Sequence, residues 1–281
     1  MLAIVGGTGL YDVEGLETVA EESIDTPFGR PSAPVRKLRL GDREILFLPR
    51  HGRGHALLPH EINYRANVFA LKKAGARMLV GFSAVGSLRE ELSPGDFAIP
   101  SQYFDMTKGR REHTFFGNGI AAHVSTAHPT SVQLSDWIAD TAREVNISVH
   151  RESTYACVDG PRLGTRAESF FLRNAACDVV GMTNVPEVFL AREAQLAYAS
   201  VCMVTDYDCW HDDVAQHVTV QQVIERYGET LIQAKDLLKR LLAAPLPDID
   251  EAYRRALANA VLTPDSALDA DQLDLLAILR A

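Results

Sequence analysis

Short apolar runs recur along the chain and alternate with stretches of helical spacing. Leu2–Val5, Glu44–Leu48, Met78–Phe82, Asp96–Ile99, Tyr155–Val158, Val179–Met182 and Tyr198–Val204 have the length and hydrophobicity expected of buried strands. Residues 62–74 read as a helix, with Pro59 suited to its first turn and Gly75 just past its end. From Val220 to Leu242 the apolar positions Val220, Val223, Ile224, Tyr227, Leu231, Leu237, Leu238 and Leu241 keep helical spacing. Thr219 and Gln222 make a capping box at its start. Strands alternating with helices predict an α/β fold: a largely parallel or mixed sheet covered by helices.

The one plausible boundary is Ala244-Pro245-Leu246-Pro247. It divides a main domain, 1–244, from an acidic tail, 245–281, with helical patches at 250–261 and 269–279. The tail is too short to hold much core of its own. It reads as a small appended subdomain, or as an arm packed on the domain or on a neighbouring subunit.

Composition narrows the function classes. Hydrophobic residues make up 47% and charged residues 23% of the 281 positions, ordinary for a globular chain with a full core. The net charge is −9 with no Lys/Arg-rich block, which argues against nucleic acid as a partner. An anionic small molecule stays open, because a few local cations suffice. No apolar run reaches the roughly 18 residues of a membrane span, and the N-terminus does not read as a signal peptide. Cys157, Cys177, Cys202 and Cys209 show no Cys-x-x-Cys spacing and read as reduced thiols of a cytoplasmic protein.

The candidate chemistry gathers where predicted strands end. Gly6-Gly7-Thr8-Gly9 offers backbone N–H groups and a hydroxyl to an anion, although a plain turn fits it equally well. It has neither the P-loop nor the Gly-x-Gly-x-x-Gly spacing. Pro49-Arg50-His51-Gly52 supplies a planar guanidinium suited to phosphate or carboxylate. His51 there is a plain loop histidine or a second donor at the anion. The spacing of His51, His55 and His60 does not make a metal site, since Gly52 and Gly54 break any helix and no further ligands complete a set. Ser83-Ala84-Val85-Gly86-Ser87 adds a hydroxyl and amides after another strand. Ligands of open α/β sheets bind at the carboxyl ends of strands, and these three ends together are phosphate-sized. Thr205-Asp206-Tyr207-Asp208 then puts two carboxylates at the end of the run 196–204, where period-two alternation points Asp206 and Asp208 the same way. Paired carboxylates resist ionising together, so one can keep a proton and donate while the other accepts.

Eight segments occur in a recognisable order: Gly6-Gly7-Thr8-Gly9, Thr26-Pro27-Phe28-Gly29, Arg50-His51-Gly52, Asn63-Tyr64-Arg65-Ala66-Asn67, Gly86-Ser87-Leu88-Arg89, Gly160-Pro161-Arg162, Met182-Thr183-Asn184-Val185-Pro186-Glu187 and Thr205 to Trp210. The set resembles the trimeric purine nucleoside phosphorylases, and among them the branch acting on 5'-methylthioadenosine. The resemblance runs from residue 2 to about 245 and is weakest in the tail.

It implies a single domain with a mixed, barrel-like sheet flanked by helices, assembled as a homotrimer. It also implies phosphorolysis of methylthioadenosine to adenine and 5-methylthioribose 1-phosphate. Phosphate would be the co-substrate, with no metal or organic cofactor. Carried over by position, Thr8, Arg50, His51, Ser83, Ala84 and Thr183 would bind phosphate, with Ser83 where many relatives have Thr. Met182 would lie under the ribose, Leu163 beside the substrate, and Asp206 and Asp208 at the adenine. Val220, Val223 and Ile224 would wall the methylthio pocket, which His123 would approach from the next subunit. Relatives that cleave 6-oxopurines carry Glu at the position of Gly164 and Asn at that of Asp206, so this chain is expected to prefer a 6-aminopurine. A broader phosphorylase taking adenosine or methylthioinosine is the competing expectation.

Overall fold

A computed structural model describes residues 1–7, 9–10, 12–211 and 220–281, without the side chains of 220, 222 and 223. The strands are β1 (Leu2–Gly6), β2 (Glu17–Glu22), β3 (Val35–Leu40), β4 (Arg43–Pro49), β5 (Met78–Ser87), β6 (Phe97–Asp105), β7 (Val149–Cys157), β8 (Val179–Gly181) and β9 (Ala197–Asp206). The helices are α1 (Tyr64–Lys73), α2 (Val132–Glu144), α3 (Arg166–Asn174), α4 (Asn184–Glu193), α5 (Val220–Ala243), α6 (Glu251–Arg254) and α7 (Ala270–Arg280).

The strands form one mixed sheet in the order β2-β3-β4-β1-β5-β8-β7-β6-β9. A further parallel pairing of β5 with β9 closes its second half into a five-stranded barrel. This is the mixed, barrel-like α/β fold expected from the sequence. Alternation along the strands sorts the core into two packed layers. Ala3, Val5, Leu46, Leu48 and Leu79 join one cluster with Phe69, Leu71 and Leu190 of the helices. Leu2, Ile4, Ile45, Phe47 and Val80 join the other with Ile138, Leu237 and Leu241. Every residue of β9 is buried, which explains why its sequence is mostly apolar up to Val204.

Three local expectations need correction. Pro59 lies outside α1: the helix starts at Tyr64, where the Asn63 side chain accepts from the Ala66 N–H at 3.1 Å. Gly75, at φ +94°, does follow its end. Ser83–Ser87 does not follow a strand that ends at Phe82 but is the second half of β5, held by pairing to β9 and β8. In the tail, only Glu251–Arg254 of the patch 250–261 is helical. Beyond it the chain turns so that Leu257 N–H reaches Gln195 Oε1 at 3.0 Å and Val261 bridges to Ala122. The capping box at Thr219 and Gln222 lies outside the described residues.

The edge pair β2 and β3 was not expected. β2 is almost wholly exposed and half of its residues are glutamates, as suits a protected sheet edge, so its apolar signal is weak. Residues 245–281 pack on both layers of this same chain. Leu257, Ala260 and Leu279 enter one cluster, and Ile249 and Tyr253 the other. Among the described residues no helix is long and apolar enough to cross a membrane.

Candidate active site

The parallel strands β1, β4, β5 and β9 run the same way, so Gly7, Arg50 and Asp206 emerge at one end of the sheet. A cavity of about 920 Å³ opens there. Of the residues expected at phosphate, Arg50, His51, Ser83, Ala84 and Thr183 line it. Met182, Leu163, Asp206 and Asp208 line the same cavity. Thr8 and the side chains of Val220 and Val223 lie outside the described residues. Ile224 is exposed and does not reach the cavity, and α5 instead brings Tyr227 to its wall. His123 is exposed, away from the cavity of its own protomer, in a loop whose backbone N–H is held by Ala260 O at 2.9 Å.

Arg50 is almost completely buried. Its Nε and Nη2 each donate to Glu187 at 2.8 Å, and Nη1 donates to Phe82 O at 2.8 Å. Burial would favour a neutral guanidinium, but Glu187 overrides it and raises the Arg50 pKa, so the charge is kept. Nη1 and Nη2 each retain a second proton to donate.

His51 stands beside it with Nδ1 2.9 Å from Leu57 O and its ring stacked on His55 at 4.1 Å. Burial, with some help from Arg50, pushes its pKa down to about 4, so the ring is neutral at pH 7. Because a carbonyl only accepts, Nδ1 carries the proton and Nε2 is an acceptor. The expected second donor at the anion is therefore an acceptor in the resting state. Ser83 Oγ lies 3.2 Å from Asn184 Oδ1, and Thr183 N–H donates to Tyr155 OH at 3.3 Å.

At the far side, Asp206 is the last residue of β9, and Asp208 sits beyond it at φ +53°. Strand alternation does not therefore extend to Asp208. The chain turns back instead, so that Asp208 N–H donates to Asp206 Oδ1 at 2.7 Å while Thr205 Oγ1 donates to Oδ2 at 2.7 Å. Burial pushes the Asp206 pKa up to about 6. The two donors restrain the rise, and the charge of Asp208 adds to it. Gly86 makes room for the pair: a Cβ on it would lie 2.9 Å from Asp206 Oδ1. A Cβ on Gly164 would lie 3.8 Å from Asp208 Oδ1, so that position faces the second carboxylate directly.

Sequence reasoning assigned no role to Glu187, Tyr198 or Tyr227. The signal for Glu187 was indirect, since an arginine behind a strand end needs a counter-charge once it is buried. Tyr227 was visible only as one more apolar position of a helix.

Comparison with known proteins agrees with this geometry. Residues 1–243 match the phosphorylase superfamily. An S-methyl-5'-thioadenosine phosphorylase of Rhodospirillum rubrum is 45% identical over 272 residues, covering 94% of this chain and 91% of the relative. One of Hyperthermus butylicus is 48% identical, covering 89% and 90%. The crystal structure of a methylthioadenosine phosphorylase from an antarctic soil metagenomic library superposes with a TM-score of 0.91 at 40% identity, covering 99% of this chain and 98% of that one. A mutant adenosine/methylthioadenosine phosphorylase of Schistosoma mansoni, in complex with methylthioadenosine, gives 0.84 at 36% identity, covering 93% and 98%. This chain belongs to the phosphorylase superfamily.

Proposed function

We propose that the chain is an S-methyl-5'-thioadenosine phosphorylase, a pentosyltransferase that converts its nucleoside and phosphate to adenine and 5-methylthioribose 1-phosphate. The observation that carries this reading is one cavity lined both by a buried, charged Arg50 and by Asp206, a carboxyl whose raised pKa of about 6 makes it easier to protonate than an ordinary aspartate. Bond cleavage makes the ribose cationic and the purine anionic, so a phosphate anion gripped by Arg50 meets the first charge and a proton delivered through Asp206 meets the second.

In this mechanism Arg50, the Ser83 and Thr183 hydroxyls and the Ala84 backbone N–H hold phosphate below the sugar. Neutral His51 accepts from a protonated phosphate oxygen at Nε2. Thr8 is assigned to the same anion by position. Phosphate stabilises the oxocarbenium-like sugar, and one of its oxygens then captures the anomeric carbon. Met182 packs under the ribose, and Leu163 lies beside the substrate. Asp206 gives its proton to N7 of the leaving adenine, while Asp208 accepts from the exocyclic amino group.

A 6-oxopurine would set its carbonyl against that acceptor, and loss of such a matched edge is worth on the order of 10⁴-fold in discrimination. Gly164 places no side chain beside Asp208, where a Cβ would lie 3.8 Å from Oδ1. Val220, Val223 and Ile224 are assigned to the methylthio pocket, with His123 contributed by a neighbouring copy in a homotrimer. Ile224 must then reach the site through a rearrangement of the start of α5. The test is release of adenine from methylthioadenosine in the presence and absence of phosphate. Release that requires phosphate and yields the sugar phosphate supports the reading; hydrolysis independent of phosphate refutes it.

A further inference from the structure

Glu187 is buried and is not among the residues that line the cavity. Its two oxygens nevertheless take one whole edge of the Arg50 guanidinium, with Nε and Nη2 both at 2.8 Å. A bidentate pair fixes the plane of the fork as well as its position. Oε1 also accepts from Tyr198 OH at 2.9 Å. Burial first, and Glu187 next, keep that phenol protonated by raising its pKa well above the usual value. The network crosses four elements: Arg50 follows β4, the Phe82 carbonyl belongs to β5, Glu187 to α4 and Tyr198 to β9. Gly81 on β5 leaves room for it, since a Cβ there would lie 2.8 Å from Tyr198 OH, 2.9 Å from Glu187 Oε1 and 3.1 Å from Arg50 Nη2.

We propose that Glu187 is the positioning residue for the co-substrate: held by Tyr198, it fixes the plane of the Arg50 guanidinium so that the remaining N–H groups face phosphate. This rests on the reading of Arg50 as a phosphate ligand. Glu187 is also the resident counter-ion that keeps Arg50 charged between turnovers, when no anion is bound. A purely architectural pair would act on stability, and through it on both substrates alike. An aiming pair acts on one substrate.

The experiment varies phosphate at saturating nucleoside, and nucleoside at saturating phosphate, for the wild type, Glu187→Gln and Tyr198→Phe. Gln keeps the shape but offers one acceptor in place of two, so the phosphate KM is expected to rise about tenfold or more while the nucleoside KM changes less than about twofold. Tyr198→Phe is expected to raise the phosphate KM in the same selective way, by about two- to fivefold. An unchanged phosphate KM, or an equal rise in both constants, overturns the proposal. Should Glu187→Gln fail to fold, the same two outcomes in Tyr198→Phe decide it. A wild-type chain that turns over without phosphate refutes the phosphate reading itself and this role with it.

Discussion

Asp206 is buried and held by two donors, and the balance leaves its pKa at about 6 instead of the usual 3.8. Two consequences follow at the scale of this one residue. In the acid role proposed for it, a group of this kind contributes typically ~10²–10⁴ in rate, so Asp206→Asn should lower kcat on methylthioadenosine by that factor without a matching fall in thermal midpoint. Near-normal turnover would remove it from the acid role. The second consequence is a stability effect. A pKa raised on folding means that the folded state binds more protons between about 4 and 6. The stability this group contributes is complete below pH 3.8 and is lost as pH rises through about 6. Asp206→Asn should therefore gain on the wild type in urea midpoint as pH is raised across that window. A constant difference would contradict the shifted pKa. Arg50, Ser83, Thr183 and both aspartates were legible in the sequence because each follows or ends an apolar run. Glu187 and Tyr198 were not, because their roles depend on contacts across 137 and 11 residues of chain.

Among the elements, β1 and β9 were legible because all of their residues are buried and most are apolar, whereas β6 and β7 were legible only in their buried apolar halves, the rest of each being polar and partly exposed. β3 was not, since only Val35 and Leu38 of its six residues are buried. α2 was missed although Leu134, Ile138, Ala139 and Ala142 give it a buried stripe and Ser131 a cap, a signal that was present and not used. The tail shows the reach of α7. It is capped by a box of Asp269 and Gln272, it inserts a fully buried Leu279 into the main core, and the Leu279 and Arg280 carbonyls accept from Gln195 Nε2. Leu279→Ala is expected to cost about 2–5 kcal/mol, read as a lowered denaturant midpoint at unchanged slope. A loss below about 1 kcal/mol would mean that the helix end is not part of the cooperative fold.

For the whole molecule, the closed half of the sheet fixes where the strand ends converge, and one cavity there gathers residues from Gly7 to Tyr227. A single protomer leaves His123 exposed and outside the lining of its own cavity. In the homotrimer proposed above it serves a neighbour. Light scattering should then give about three times 30.9 kDa, and His123→Ala should raise the KM for methylthioadenosine without changing that mass. A fully active monomer would contradict shared sites. The proposed substrate choice also belongs to this scale, because Gly164, Asp206, Asp208 and the residues proposed for phosphate line one cavity. The most direct test is a parallel assay of methylthioadenosine, methylthioinosine, adenosine and inosine, each with and without phosphate. The account predicts phosphate-dependent cleavage led by methylthioadenosine, with adenosine behind it and the two 6-oxopurine nucleosides far below. Preferred cleavage of inosine, or cleavage indifferent to phosphate, would contradict it.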